Sequence, residues 1–132
     1  LDFNTSGLLL LTNDSRWSRR IMAPEEKVDK VYRVVLGKPL DEHYISAFAE
    51  GMYFSFEDIT TQPAQLKILA DNIAEVVLME GKYHQIKRMF GRFRNPVIGL
   101  QRSSIGNLQL DKDLAEGQSR PLTSVEVSAI FK

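Results

Sequence analysis

The sequence predicts an α+β domain in which helices flank a mainly antiparallel, mixed sheet. Three features predict this class. Lys30–Leu36 has the alternation of a strand, two further β-type runs flank Asp71-Asn72 as a hairpin, and segments with helical periodicity lie between the strands. The chain has 132 residues, 43% of them hydrophobic, which suffices for one domain with a buried core, and we assign residues 1–132 to it.

The first part of the chain predicts a strand followed by a helix. Gly7–Thr12 contains four consecutive leucines, a run of the length expected for a buried strand. Asp14 is suited to cap a short helix over Ser15–Met22, because its carboxylate can accept from the first free amides. Trp17 and Ile21 lie four residues apart in this helix and therefore share its apolar face.

A second strand and a capped helix come next. Lys30–Leu36 is the strand, and Gly37 begins a turn after it. Asp41 can cap a helix that continues to Ala49, and Gly51 provides the C-terminal stop.

The middle of the chain predicts a β-hairpin. Residues 52–61 are irregular or form a short strand. Ala64–Leu69 and Ile73–Met79 are strand-like runs joined across Asp71-Asn72, a dipeptide typical of tight turns.

The last third predicts two helices and two strands. His84–Phe93 is amphipathic, with its apolar and basic residues largely on opposite sides. Pro96–Leu100 and Ser104–Leu110 are predicted as separate strands, the second with a bulge or kink at Gly106-Asn107. Thr123–Glu126 has the spacing of a capping box and opens the final helix.

Several function classes lack the residues they require. The chain has no cysteine, which excludes disulfides, a thiol nucleophile and cysteine-ligated metals. The two histidines, His43 and His84, form no HExxH motif, and glycine-rich nucleotide loops and GxSxG are absent. No apolar run approaches the roughly 20 residues of a membrane span, and no signal peptide is visible, so we expect no membrane association and a cytoplasmic location.

The charge is balanced in total but unevenly distributed. There are 17 basic and 17 acidic side chains, and a net charge of zero is unlike most nucleic-acid-binding domains. Residues 38–80 nevertheless carry eight acids and two bases, whereas residues 81–102 carry six bases and no acid. The second stretch predicts a local positive field of the kind that phosphates bind, or else a solvated helix face.

Three short segments carry side chains suited to chemistry. Asp2 lies on a polar loop before the predicted first strand, and residues 80–90 place a histidine and basic side chains at the start of a helix. Lys30 and Tyr32 are two apart on a strand and share a face, where a phosphate and a base could bind together. Taken singly, each segment is explained as well or better by a structural role. Asp2 could form a turn or a cap, residues 80–90 could form a helix with a solvated basic face, and Lys30 and Tyr32 could be an extended lysine beside a half-buried tyrosine.

These segments resemble the sequence motifs of the pseudouridine synthases, both in their residues and in their order along the chain. Residues 1–14 (LDFNTSGLLLLTND) resemble the catalytic-aspartate motif, residues 30–32 (KVY) the second motif and residues 80–90 (EGKYHQIKRMF) the third. The tail at residues 100–110 and 117–123 also fits. The match is closest to the RsuA branch, which modifies small-subunit ribosomal RNA. The resemblance implies the family's catalytic fold and the isomerisation of uridine to pseudouridine, with no metal and no organic cofactor.

The resemblance also implies a role for individual residues. Asp2 would be the catalytic aspartate, Tyr32 would pack against the target base, and Lys87 would ion-pair with the aspartate, unless its neighbour Arg88 does so. The predicted RNA-binding residues are Lys30, His84, Gln85, Arg88, Arg92, Arg94 and Arg102. The expected partner is 16S ribosomal RNA, including RNA within a ribosome assembly intermediate, and the expected state is a monomer.

Members of this branch carry more chain ahead of the aspartate motif. The resemblance implies an S4-type RNA-binding domain, the first catalytic strands and an arginine directly before Leu1-Asp2. Since the sequence contains none of them, we expect it to be a fragment of a catalytic domain.

Other functions remain open at this point. One is a pseudouridine synthase for large-subunit (23S) ribosomal RNA. Another is a non-catalytic RNA-binding module, which would explain the basic stretch but gives Asp2 no role. A plain structural domain would bind no RNA at all.

Overall fold

The computed structural model describes residues 6–22, 28–78, 85–110 and 113–131. Its strands are β1 (Ser6–Gly7), β2 (Lys30–Leu36), β3 (Tyr53–Phe54), β4 (Ile59–Thr60), β5 (Gln65–Ala70), β6 (Ile73–Leu78), β7 (Val97–Ile105) and β8 (Leu108–Gln109). Its helices are α1 (Ser15–Met22), α2 (Glu42–Glu50), α3 (Gln85–Gly91) and α4 (Ser124–Ala129).

Six of these strands form one mixed sheet in the order β1-β7-β2-β6-β5, with β8 paired to β7. The central strand β2 is antiparallel to both β6 and β7, and β5 is antiparallel to β6. Only the pairing of β1 with β7 is parallel among the described strands. The predicted α+β class with a mainly antiparallel, mixed sheet and flanking helices is therefore confirmed.

Two hydrophobic cores hold the helices against the sheet. The first joins β2, β5, β6 and β7 to α2 and α3. In it the rings of Tyr44 and Phe93 stack at 4.0 Å between centroids, and Phe48 meets Phe90 at 4.9 Å. The second core joins α1 and the residues directly after α4 to the ends of β7 and β8. Each large apolar side chain buried in this way contributes about 1.5–3 kcal/mol.

The predicted helix caps are confirmed by their hydrogen bonds. The Asp41 carboxylate accepts from the backbone amide of His43, and that of Asp14 accepts from the amides of Arg16 and Trp17. Thr123 and its partner three residues later form the reciprocal capping box at α4. These signals are local in sequence, which is why they predict the helix starts correctly.

The predicted strand over Gly7–Thr12 is wrong beyond its first residue. Pairing ends at β1, after which the Leu8 amide donates to the Arg102 carbonyl at 2.8 Å. Leu8 is buried, but Leu9 and Leu11 are 55% and 84% exposed. The leucine run leaves the sheet because no further strand of the described chain pairs with it there.

The two strands predicted over Pro96–Leu100 and Ser104–Leu110 are also corrected. Val97–Ile105 is one strand because it pairs with β2 over its length, across two register shifts. Its polar centre is accommodated by bonds such as that from the Ser103 hydroxyl to the Val31 carbonyl, at 3.1 Å. Gly106-Asn107 is the turn into β8 rather than a bulge or kink within a strand.

The remaining predictions differ only at their ends. Residues 52–61 contain two short strands, which pair as a separate hairpin, β3–β4. The β5–β6 hairpin is confirmed to within a residue. Helix α3 ends at Gly91, two residues before the predicted end, because a turn follows in which Arg94 has φ 53°.

Asn95 joins three parts of the fold and its replacement is expected to cost stability. The side chain is 1% exposed, accepts from the Lys38 amide, and donates to the Lys38 carbonyl and the Tyr44 hydroxyl. Asn95→Ala leaves these groups without partners, so we expect the free energy of unfolding to fall by about 2–3 kcal/mol. Urea denaturation followed by circular dichroism measures it. Asn13→Ala, at an exposed position, is the control, and an equal loss there would contradict the assignment.

Candidate functional site

The candidate catalytic aspartate precedes the edge strand β1. Asp2 and His84 both lie outside the described residues. The described chain shows how the segment following Asp2 is held: Ser6 pairs with Gln101 and Gly7 pairs with Arg102 of β7.

Gly7 allows an unusually close approach between β1 and β7. Its φ is +115°, a conformation that other residues rarely adopt. A Cβ at this position would lie 2.2 Å from the Arg102 carbonyl oxygen and 2.4 Å from the Arg102 amide nitrogen. The position of the segment that follows Asp2 therefore depends on the absence of a side chain at Gly7.

Arg102 secures the same segment with its side chain. The half-buried guanidinium donates through Nε to the Leu8 carbonyl at 2.7 Å, while the Arg102 carbonyl accepts from the Leu8 amide. The sequence predicts only an RNA contact for Arg102. Its positioning role was missed because it depends on a partner 94 residues away.

Tyr32 lies in the centre of the sheet, next to Arg102. It is opposite Val76 on β6 and Arg102 on β7, beside a register shift in the β2–β7 pairing. Its side chain is half-buried and packs against the first core. A partly exposed ring held on one side by a packed core can present its other side to a planar ligand.

The structure buries Lys30, whereas the predicted phosphate contact requires its ammonium group to be accessible. Its side chain is 2% exposed, and Nζ donates to the Ile21 carbonyl at 2.5 Å, near the end of α1. Burial, and after it the charge of Arg102, lower the pKa of Lys30, whereas Asp29 raises it. Strand alternation indicates that Lys30 shares a face with Tyr32, but it does not indicate that α1 covers that end of the strand.

The polar and basic residues of α3 lie in different surroundings. Gln85 is buried and its amide approaches the Met89 sulfur at 3.7 Å, so it is not an exposed RNA contact in this structure. Lys87 and Arg88 are both half-buried. Arg88 forms an ion pair with Glu57 of the β3–β4 hairpin.

Two arginines of the α3 segment stack on one aromatic ring. The guanidinium carbons of Arg88 and Arg92 lie 4.3 Å and 4.6 Å from the centroid of Phe54. Arg92 and Arg94 are exposed, as the prediction of RNA contacts requires. The structure thus brings Lys30, Tyr32 and Arg102 together in the sheet, and groups Arg88 and Arg92 at the hairpin.

The β3–β4 hairpin borders a groove that the sequence does not predict. It is open, encloses about 530 Å³, and is lined by Tyr53, Phe54, Ser55, Phe56, Arg88 and Arg92. The three aromatic residues among positions 53–56 were the available signal. Their proximity to the basic helix, some 30 residues later, depends on the fold.

Neither a metal site nor a membrane helix is found in the described part of the chain. Among those residues, no three histidine, aspartate or glutamate side chains are grouped closely enough to hold a metal ion. No helix there has the length and apolar character needed to cross a bilayer.

Comparison with known proteins identifies similar sequences over nearly all of the chain. A family model described as RNA pseudouridylate synthase matches residues 1–91. The Ribosomal small subunit pseudouridine synthase A of Pseudomonas aeruginosa is 48% identical over 130 residues, covering 98% of this chain and 56% of that protein. The proteins of the same name from Haemophilus influenzae and Escherichia coli K12 are 46% and 40% identical, and the chain covers 57% and 56% of them.

One solved structure is similar in both fold and sequence. It is described as the crystal structure of a pseudouridylate synthase, and it superposes with a TM-score of 0.92 at 45% identity. The match covers 98% of this chain and 56% of that one. The chain thus spans little more than half the length of the relatives it matches.

Proposed function

The chain belongs to the RNA pseudouridylate synthase family, and from this membership we propose that the complete protein converts a uridine of small-subunit (16S) ribosomal RNA into pseudouridine. The observation that carries the proposal is the extended likeness to small-subunit enzymes, which includes the aspartate motif. Large-subunit RNA is the alternative substrate, and no feature of the described residues favours it.

The reaction is an isomerisation, so the atoms balance without a co-substrate. The bond from uracil N1 to ribose C1′ breaks, a bond from C5 to C1′ forms, and the proton on C5 moves to N1 by way of solvent. The Asp2 carboxylate is the proposed catalytic group, because a carboxylic acid of ordinary pKa, about 3.9, is ionised at neutral pH. It can attack C1′, attack C6 or remove a proton from C2′.

The target base must leave the RNA stack before a carboxylate can reach it. Tyr32 is the proposed stacking partner for the extruded uracil. Its half-buried ring, fixed against the first core, supports this role, since a rigid aromatic surface binds a base with little loss of side-chain freedom. Arg102 is the proposed positioning residue, because it bonds the segment that follows Asp2 to the strand beside Tyr32.

The substrate can be identified with the complete gene product that contains this sequence. It is incubated with small-subunit or large-subunit ribosomal RNA transcribed with uridine tritiated at C5. We expect tritium release from the small-subunit transcript, and chemical mapping then locates the modified uridine. Release from the large-subunit transcript alone would transfer the assignment to that RNA. No release from either RNA would indicate a non-catalytic module.

Lys87, rather than Arg88, is the proposed ion-pair partner of Asp2. Arg88 already pairs with Glu57 and stacks on Phe54, which engages its charge at the hairpin. We expect Lys87→Met to lower the single-turnover rate about 100-fold at saturating enzyme, as loss of one electrostatic contact at a reacting centre typically does. Lys87→Arg should restore most of the rate.

Lys67→Met is the matched control, since it removes one exposed positive charge from the edge strand β5. It should leave the rate unchanged. If Arg88→Met reduced the rate and Lys87→Met did not, the assignment of the ion-pair partner would be reversed.

A further inference from the structure

The β3–β4 hairpin presents aromatic rings to solvent on a rigid support. Phe56 at its tip is 95% exposed and Tyr53 is 49% exposed. Below the tip, Met52 and Thr61 exchange two hydrogen bonds of 2.8 Å, and both residues are buried. The exposed rings are thus carried by a hairpin whose base is fixed in the protein, so the backbone that carries them loses little freedom when a ligand binds.

The acidic side chains of the hairpin are engaged internally. Glu57 pairs with Arg88, and Asp58 accepts a hydrogen bond of 2.7 Å from the Tyr53 hydroxyl, which raises the pKa of Tyr53. The charge of Glu57 is therefore compensated by Arg88, whereas Asp58 keeps its negative charge and is held by the Tyr53 hydroxyl. Among the residues that line the groove, Arg88 is paired with Glu57, so the charge of Arg92 is the one left for a ligand.

Arg92 is held in place but has charge available for a ligand. Its guanidinium stacks 4.6 Å from the Phe54 centroid, and among the described residues no carboxylate lies within ion-pair distance of it. Stacking on a ring leaves the edge of a guanidinium, with its N–H groups, free to bind a phosphate. The groove therefore combines a positive group with exposed aromatic faces.

From this combination we propose that the hairpin groove is a second nucleotide site, in which an unpaired RNA base stacks on Phe56 while Arg92 binds its phosphate. The inference rests on the proposed function for its ligand, RNA. It adds a site outside the catalytic one, because Lys30, Tyr32 and Lys87 are not among the groove's lining residues.

The chemistry favours RNA over a protein partner. Single-stranded nucleic acid is bound by aromatic rings interleaved with positive charge, because every base has a stacking face and every nucleotide a phosphate. The basic stretch containing Arg88, Arg92 and Arg94 has no acid, which complements a polyanion. A protein partner would require a broader apolar patch than one exposed phenylalanine at the edge of an arginine pair.

The test compares single-stranded with double-stranded RNA. Binding of the complete gene product to a short labelled oligouridylate and to a blunt RNA duplex of equal length is measured by fluorescence anisotropy. We expect Phe56→Ala to raise the Kd for oligouridylate about 5- to 100-fold, the usual effect of losing one base–aromatic stack. The duplex Kd should stay constant, because paired bases cannot stack on the ring.

Two further variants separate the parts of the site. Phe56→Trp should retain tight oligouridylate binding, because it keeps an aromatic surface. Arg92→Gln should raise the Kd for both RNAs and reduce the slope of log K against log salt by about one, as the loss of one phosphate contact does. Val125→Ala, at a position on α4 that is 75% exposed, is the control and should change neither Kd.

Several outcomes would overturn the proposal. One is equal oligouridylate binding by wild type and Phe56→Ala, and another is no binding by wild type. A third is a Phe56→Ala defect confined to ribosomal particles, which would indicate a protein partner. Pseudouridine formation, assayed on the same wild-type preparation, tests the proposed function separately. If the wild type is active and Phe56→Ala binds oligouridylate normally, only the groove proposal is refuted. If the wild type is inactive but Phe56→Ala loses oligouridylate binding, only the catalytic proposal is refuted.

Discussion

Replacing Asp2 with asparagine is expected to reduce pseudouridine formation by at least about 1,000-fold, the scale on which enzymes respond to the loss of their central catalytic group. Asparagine keeps the size and shape of the side chain but can neither carry a negative charge nor form a stable covalent adduct. The RNA affinity should change little, because the phosphate and stacking contacts are unaltered. The measurement is single-turnover tritium release at saturating enzyme, with the Kd determined separately.

The matched control is the same substitution at Asp14. This residue caps α1, and asparagine caps a helix as well as aspartate does, so Asp14→Asn should keep both fold and activity. Near-normal turnover by Asp2→Asn would refute the catalytic assignment. Equal losses at both positions would indicate a general effect of charge or folding.

The local features of this fold are predictable from sequence, and the non-local ones are not. Asp14, Asp41 and Thr123 bond to amides within three residues, so their caps can be recognised without the fold. Strand β7 was divided in two because its polar centre resembles a break. Its continuity is due to β2, some 70 residues earlier, whose backbone pairs with it throughout.

The same distinction applies to the surroundings of the candidate site residues. Lys30 and Tyr32 were expected to act together, but an α1 carbonyl sequesters the lysine and the first core supports the tyrosine. The sequence leaves Arg88 as an alternative to Lys87, and the contact that supports the proposal of Lys87 is the one between Arg88 and Glu57, 31 residues away. Partners of this kind cannot be inferred from residue type and spacing.

Charge counting has the same limit. The acidic and basic stretches are separate along the sequence, yet they meet in the fold where Glu57 pairs with Arg88. This contact cancels one positive charge of the basic stretch and leaves Arg92 and Arg94 exposed beside the hairpin. Among the described residues, the exposed positive surface is therefore narrower than the six bases of the stretch imply.

Gly7→Ala is the second substitution with a large expected effect, and it tests the proposal that β1 positions the segment containing Asp2. A methyl group at Gly7 would meet the backbone of Arg102 at 2.2–2.4 Å, and backbone atoms cannot turn aside as a side chain can. The strand β1 must therefore separate from β7, with loss of the bond from the Leu8 amide to the Arg102 carbonyl. Asp2 is five residues upstream in the sequence, and we propose that its position depends on this strand.

We expect the single-turnover rate of Gly7→Ala to fall about 100-fold, because a displacement of about 1 Å at a reacting group has consequences of this size. The Kd for RNA should stay near wild type, since the β3–β4 hairpin and α3 make no described contact with Gly7.

Gly117→Ala separates steric displacement from backbone strain. Gly117 also has a positive φ, of +83°, but a Cβ there would meet nothing within 4 Å. The Gly117→Ala variant therefore incurs the cost of backbone strain, of order 1–3 kcal/mol, without displacing a strand. Its turnover should remain normal. If Gly7→Ala kept full activity, β1 would not be what positions Asp2. If both alanine variants lost activity equally, strain rather than the close approach to Arg102 would be the cause.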